Sequence, residues 1–138
     1  MDLIAIEFSE WVKWRDRAII KNANGPGVYL LAKFNYVPEG SADPTDKHIV
    51  YFGETCNNSL IGRWHQFNRS AFESKDGHSG GWTYNDTYKD KGDDLYVAAL
   101  AVSELPDNIR HLFIRYVERK LMLDYAIKHG IQPVLNRK

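Results

Sequence analysis

A single cysteine, Cys56, stands among 138 residues. That scarcity excludes an internal disulfide framework and any cysteine-rich zinc site, and it sets a reducing, cytoplasmic location as the expectation. Net charge is also missing: 18 Lys and Arg balance 18 Asp and Glu, which argues against indiscriminate binding of polyanions. No apolar run approaches the length that crosses a bilayer, so no membrane partner is expected. The first residues, MDLIAIEFSEW, carry acids at positions 2, 7 and 10 and no basic start, so they do not read as a signal peptide. There is no internal repeat and no low-complexity tract. What remains is 43% hydrophobic and 26% charged, an ordinary single domain over residues 1–138, large enough to bury a core without staples.

The zero balance conceals an uneven distribution. From Arg110 onward seven Lys and Arg face only Glu118 and Asp124, while the acids concentrate in 39–46 and 90–107. The basic third reads equally well as a solvated helix face or as a surface for phosphates.

Periodicity places the elements. Residues 9–21 read as a helix capped by Ser9, with Trp11, Trp14, Ala18 and Ile19 near one face. A turn at Asn24-Gly25-Pro26-Gly27 leads into a strand from Val28 to Phe34. Residues 35–47, rich in Pro, Gly and acids, form a loop insertion that makes this strand and the next, Ile49 to Phe52, a long hairpin. Leu60 to Phe72 reads as a helix with Leu60, Ile61, Trp64, Phe67 and Ala71 buried. Residues 74–94 are too polar and glycine-rich for regular structure, a second loop insertion. Leu95 to Val102 is a strand buried on both sides. A long helix from Pro106 to His129 presents Ile109, Leu112, Phe113, Tyr116, Val117 and Leu121 to the core and closes at Gly130. The tail, Ile131 to Asn136, is half apolar and packs. The expected class is α+β: a small, mostly antiparallel three-stranded sheet flanked by helices.

Five pieces of this chain recur in one order. Gly27-Val28-Tyr29 opens the first strand, Tyr51-Phe52-Gly53 closes the second, Arg63 lies on the next helix, Glu118 in the late helix and Asn136 in the tail. Together, over about residues 25–136, they resemble the GIY-YIG nuclease family, the name-giving triplets standing here as GVY and YFG. The resemblance implies a divalent-metal-dependent endonuclease that hydrolyses DNA phosphodiester bonds, with Tyr29, Tyr51, Arg63, Glu118 and Asn136 forming the catalytic network.

The residue types suit that chemistry. A phosphodiester is an anion, so its attack needs charge neutralisation, an oriented water and a stabilised leaving oxygen. Glu118 offers a hard oxygen ligand for Mg²⁺ or Mn²⁺, with a surface ion pair to Arg119 or Lys120 as its structural alternative. Arg63 can grip two phosphate oxygens with its planar fork. The resemblance makes Tyr29 the general base or the hydroxyl that orients water, and Tyr51 a contact to phosphate or water. A free tyrosine, with a pKa of about 10, needs help from a cation before it accepts a proton. Gly53 and Gly62 would let backbone approach the substrate closely, or only shape turns. Family members often carry a histidine or tyrosine four residues after the arginine; that place is Phe67 here. His65 points elsewhere on an ideal helix, which leaves His78, from the glycine-rich loop, to swing in.

Without a separate recognition domain, the two loops would have to reach the grooves, in a dimer if two sites are required. Trp82, Tyr84 and Tyr88 interleave with lysines in the second loop, a pattern for base stacking or for folding the loop onto the domain. Cys56 has no base beside it and reads as a small loop residue. The competing class is a binding module that keeps the fold for nucleic acid or protein and has lost catalysis, which Phe67 and the neutral charge favour. An RNA substrate is compatible with the same residues.

Overall fold

The computed structural model describes residues 5–137. Residues 1–4, part of the stretch read against a signal peptide, and Lys138 of the basic C-terminal set lie outside the described residues. The class is α+β, with one antiparallel sheet of four strands, not three. β1 (Val12–Lys13), β2 (Gly27–Lys33), β3 (Ile49–Thr55) and β4 (Leu95–Ala101) stand in the order β1-β4-β2-β3. β2 and β4 are therefore the inner strands, which accounts for their apolar runs: Val28 to Ala32 are fully buried.

Alternation along β2 divides the core. Val28, Leu30 and Ala32 face a cluster that includes Phe52, Tyr96 and Ala98, packed against helix α3 (Asp107–His129) through Ile114, Val117, Leu121 and Tyr125. Tyr29 and Leu31 face the opposite cluster, with Val97 and Ala99, packed against helix α1 (Leu60–Phe72) through Leu60, Trp64, Phe67 and Ala71. Helices thus cover both faces of the sheet. Among the described residues, no helix is long and apolar enough to cross a membrane.

Three expected elements come out differently. The helix expected over 9–21 is β1 followed by a 3-10 turn, Trp14–Ile19. Trp11 and Trp14 do not share a face: Trp11 packs into the α3 side and Trp14 into the α1 side, so the segment straddles the sheet. Ser9 caps nothing; its amide donates to Ala99 O at 3.0 Å and its Oγ accepts from Ala99 N at 3.0 Å, extending the edge of β4. The supposed loop 74–94 contains a helix, α2 (Ser79–Tyr88). Its inward side is short of apolar bulk because Gly80 and Gly81 are themselves buried. A Cβ on Gly81 would lie 2.6 Å from Phe67 O, so the glycine permits close packing on α1. Finally, α3 turns only part of the expected stripe inward: Val117 and Leu121 are buried as expected, Ile114 and Tyr125 join them, and Leu112 (73% exposed), Tyr116 and Ile109 face outward. Apolar residues lie all round this helix, so its pattern alone could not choose a face.

The loop over 35–47 and the antiparallel β2–β3 hairpin are as expected. The tail packs through Pro133 and Leu135 and ends in a 3-10 turn, Val134–Asn136.

Candidate active site

β3 is an edge strand, and at its open side elements from both faces of the sheet converge. There α2, α3 and the tail enclose a cleft of about 320 Å³, lined among others by Tyr51, Ser79, Thr83, Glu118, Arg119 and Asn136.

The register of β3 places the tyrosines. Tyr29 pairs with Gly53 and Leu31 with Tyr51, so regular alternation sets Tyr51 on the same face as Tyr29, with ring centroids 6.1 Å apart. Just beyond Tyr51, Ala32 pairs with Ile49, so Val50 is an extra residue in a β-bulge. Gly53 lies directly opposite Tyr29 in the register. A Cβ on Gly53 would stand 2.3 Å from the Tyr29 ring. The glycine that ends the YFG triplet therefore makes room for Tyr29. Gly62 likewise serves the start of α1: its amide donates to Ser59 Oγ at 2.9 Å, and a Cβ there would crowd that cap.

Tyr29 is fully buried and hydrogen-bonded to His78 Nε2 at 3.1 Å. Burial raises its pKa well above the ordinary tyrosine value; Tyr51, Glu118 and Glu54 add to the rise and Arg63 opposes it. Tyr51 borders the cleft with its pKa pushed up to about 12, chiefly by burial, with Glu118 and Glu54 adding and Arg63 and the Tyr29 hydroxyl opposing. Arg63 is half-buried on α1 and donates to Gln66 Oε1 at 2.7 Å. Its charge also helps burial hold the His78 pKa down at about 4.

Glu118 reaches the cleft from the other face of the sheet, its side chain 20% exposed. Burial lifts its pKa to about 7, the Glu54 carboxylate adds to this, and Arg119 opposes it. Glu54, near the end of β3, is a site residue that no motif in the sequence marks. Its signal was position, directly after the YFG triplet. It accepts a hydrogen bond from Cys56 Sγ at 3.2 Å, and Cys56 is a buried free thiol whose pKa is raised. Asn136 uses both ends of its amide on one residue: Oδ1 accepts from Phe52 N at 2.8 Å and Nδ2 donates to Phe52 O at 3.0 Å. It ties the tail to β3 as a one-residue strand pair would.

Neither His65 nor His78 lines the cleft. His65 is exposed on the outer side of α1, away from the cleft. His78 is 3% exposed and lies behind the cleft wall, against Phe67 with ring centroids 5.4 Å apart. Of the aromatics in the second loop, Tyr84 is fully buried and donates to Asp90 Oδ1 at 2.7 Å, while Lys33 Nζ sits 3.9 Å over the Tyr88 ring. Those two fold the segment onto the domain. Among the described residues no three His, Cys, Asp or Glu side chains gather as a metal cluster.

The chain matches no family model, no curated protein and no solved structure.

Proposed function

We propose that the chain is a metal-dependent endonuclease of the GIY-YIG type, hydrolysing DNA phosphodiester bonds at the β3 edge. One observation carries this reading. Tyr51 from β3, Glu118 from α3 and Asn136 from the tail, far apart in sequence, line one cleft, Tyr29 packs beside Tyr51, and the charges of Arg63 and Glu118 both reach the two tyrosines.

Arg63 supplies a fixed positive charge for an anion drawn into the cleft. Tyr51, protonated at neutral pH, offers a hydroxyl donor to a phosphate oxygen. Asn136 is fully engaged with Phe52, so its part is to hold the strand end that carries Tyr51. Glu118 would hold Mg²⁺ or Mn²⁺. The donor set fits a hard cation: a carboxylate held near pKa 7 by burial and by Glu54 gains by meeting positive charge, and no imidazole or thiol lines the cleft beside it. Bound there, the cation supplies Lewis-acid stabilisation to the phosphate and the leaving oxygen.

The test is cleavage of supercoiled plasmid with Mg²⁺, then Mn²⁺, beside Glu118→Ala and Arg63→Ala. Each variant should fold and lose cleavage, Arg63→Ala by about 10²- to 10³-fold. Near wild-type rates in both would sink the assignment. A second reading, a binding module without catalysis, is favoured by Phe67, which is fully buried where the family often has a polar side chain. It predicts intact DNA under every metal and no Mn²⁺ binding that depends on Glu118. An RNA duplex and a single-stranded RNA in the same assay decide the nucleic acid.

A further inference from the structure

Both ring nitrogens of His78 have partners, and the partners fix where its proton sits. Nδ1 is 2.9 Å from the Gly80 amide and 3.3 Å from the Gly81 amide. Backbone amides only donate, so Nδ1 holds a lone pair and the single ring proton is on Nε2. These amides are the first turn of α2, whose partial positive charge opposes a second proton. The imidazole is held from other sides as well. Its backbone amide donates to Ser70 Oγ at 2.9 Å, and the rings of Phe67 and Tyr51 meet it nearly edge-on.

With hydrogen on Nε2, the Tyr29 hydroxyl oxygen, 3.1 Å away, is the acceptor. Tyr29 must then direct its own hydrogen elsewhere, and Tyr51, its ring centroid 6.1 Å away on the same face of the sheet, is the tyrosine neighbour on the cleft side. Of these three groups Tyr51 alone borders the cleft. The charged and titratable groups that act on this set are Arg63 from α1, Glu54 from β3 and Glu118 from α3.

We propose that His78 is a positioning residue: held as the Nε2–H tautomer by Gly80 and Gly81, it sets the direction of a hydrogen-bond chain from His78 through Tyr29 to Tyr51. The chain leaves Tyr51 to present its hydroxyl hydrogen to an anionic oxygen in the cleft. Tyr29 then acts through Tyr51 and does not meet the reacting water, a different part from the base that the family resemblance implies. The role of this chain in turnover rests on the nuclease reading; the tautomer and its direction do not.

Nitrogen-15 spectra of histidine-labelled, metal-free protein at neutral pH test the tautomer directly. An unprotonated Nδ1 and a protonated Nε2 at His78 are expected. The reverse tautomer, or a ring averaging between the two, overturns the proposal whether or not the protein cleaves DNA. Turnover of supercoiled plasmid with Mg²⁺ tests the consequence. His78→Asn keeps an acceptor for the glycine amides and removes the donor to Tyr29. It should lower kcat roughly 3- to 10-fold, the worth of one hydrogen bond, with KM unchanged. His78→Gln, which places an N–H near the Nε2 position, should recover part of that loss. The double variant with Tyr51→Phe should lose no more than Tyr51→Phe alone. A His78→Asn protein with wild-type kcat, or losses that multiply in the double variant, would refute the chain. A wild-type protein that never cuts DNA defeats the endonuclease reading, and the nitrogen spectra still decide the tautomer.

Discussion

Replacing Glu118 by Gln should make the metal-free protein more stable in mild alkali while abolishing cleavage. The carboxyl is mostly buried and faces Glu54, and its pKa stands at about 7 against an ordinary 4.5. Between those two values the folded chain holds a proton that the unfolded chain has released. The sign follows: stability is greatest below about pH 4.5 and is lost as pH rises through 7. The gap is worth ~3 kcal/mol once both states are ionised. Glu118→Gln removes the ionisation at nearly constant shape, so it should gain most of that at pH 8.5 and almost nothing at pH 4.5. Urea denaturation with a chelator present, wild type beside variant across this range, reads the effect as a midpoint difference of roughly 1–2 M at the alkaline end. Comparing the two proteins cancels the titrating groups that do not feel the Glu118 charge. Glu54→Gln should narrow the same gap, because the Glu54 carboxylate is the second cause of the shift. Saturating Mg²⁺ should stabilise wild type, by about 2.7 kcal/mol at a hundred times Kd, and leave Glu118→Gln unmoved. Parallel pH profiles for wild type and variant would refute the reasoning, since they would mean that Glu118 ionises in the fold as it does in water.

His78 gives the opposite sign on the acid side. Its pKa is lowered to about 4 from 6.5 by burial and Arg63, so its contribution is present above pH 6.5 and is lost as pH falls towards 4. His78→Phe should flatten that loss in an acid melt. Gly53→Ala pushes a methyl into the Tyr29 ring, which has nowhere to move. It should cost about 1–3 kcal/mol in thermal or urea melts and break the Tyr29–His78 bond in the nitrogen spectra. Asn136→Ala removes two hydrogen bonds to Phe52, for about 1–3 kcal/mol, and should make the C-terminal tail the first site of limited proteolysis.

Much of the framework was legible along the chain. The inner strands announce themselves because burial on both faces demands unbroken apolar runs, as in Val28 to Ala32. Helix α1 does so because one stripe from Leu60 to Ala71 meets one face of the sheet. The site residues were legible only through their order, since a lone arginine or glutamate carries no such mark. What the chain could not reveal depends on contacts between distant segments. Trp11 and Trp14 look like one helical face until the sheet edge separates them. Helix α2 lacks an apolar stripe because buried glycines pack it against α1, and a missing side chain leaves no hydrophobic signal. The inward face of α3 was chosen by the sheet it covers. Gly53 looked like a strand end and is the space that Tyr29 occupies. His78 could be counted in the sequence, but its tautomer is dictated by two amides of a helix and a tyrosine 49 residues away. Sequence by itself determined which stretches must leave water and which residues could carry charge and protons. Only the tertiary structure decided which of those groups meet, because burial and hydrogen-bond direction are properties of neighbours in space.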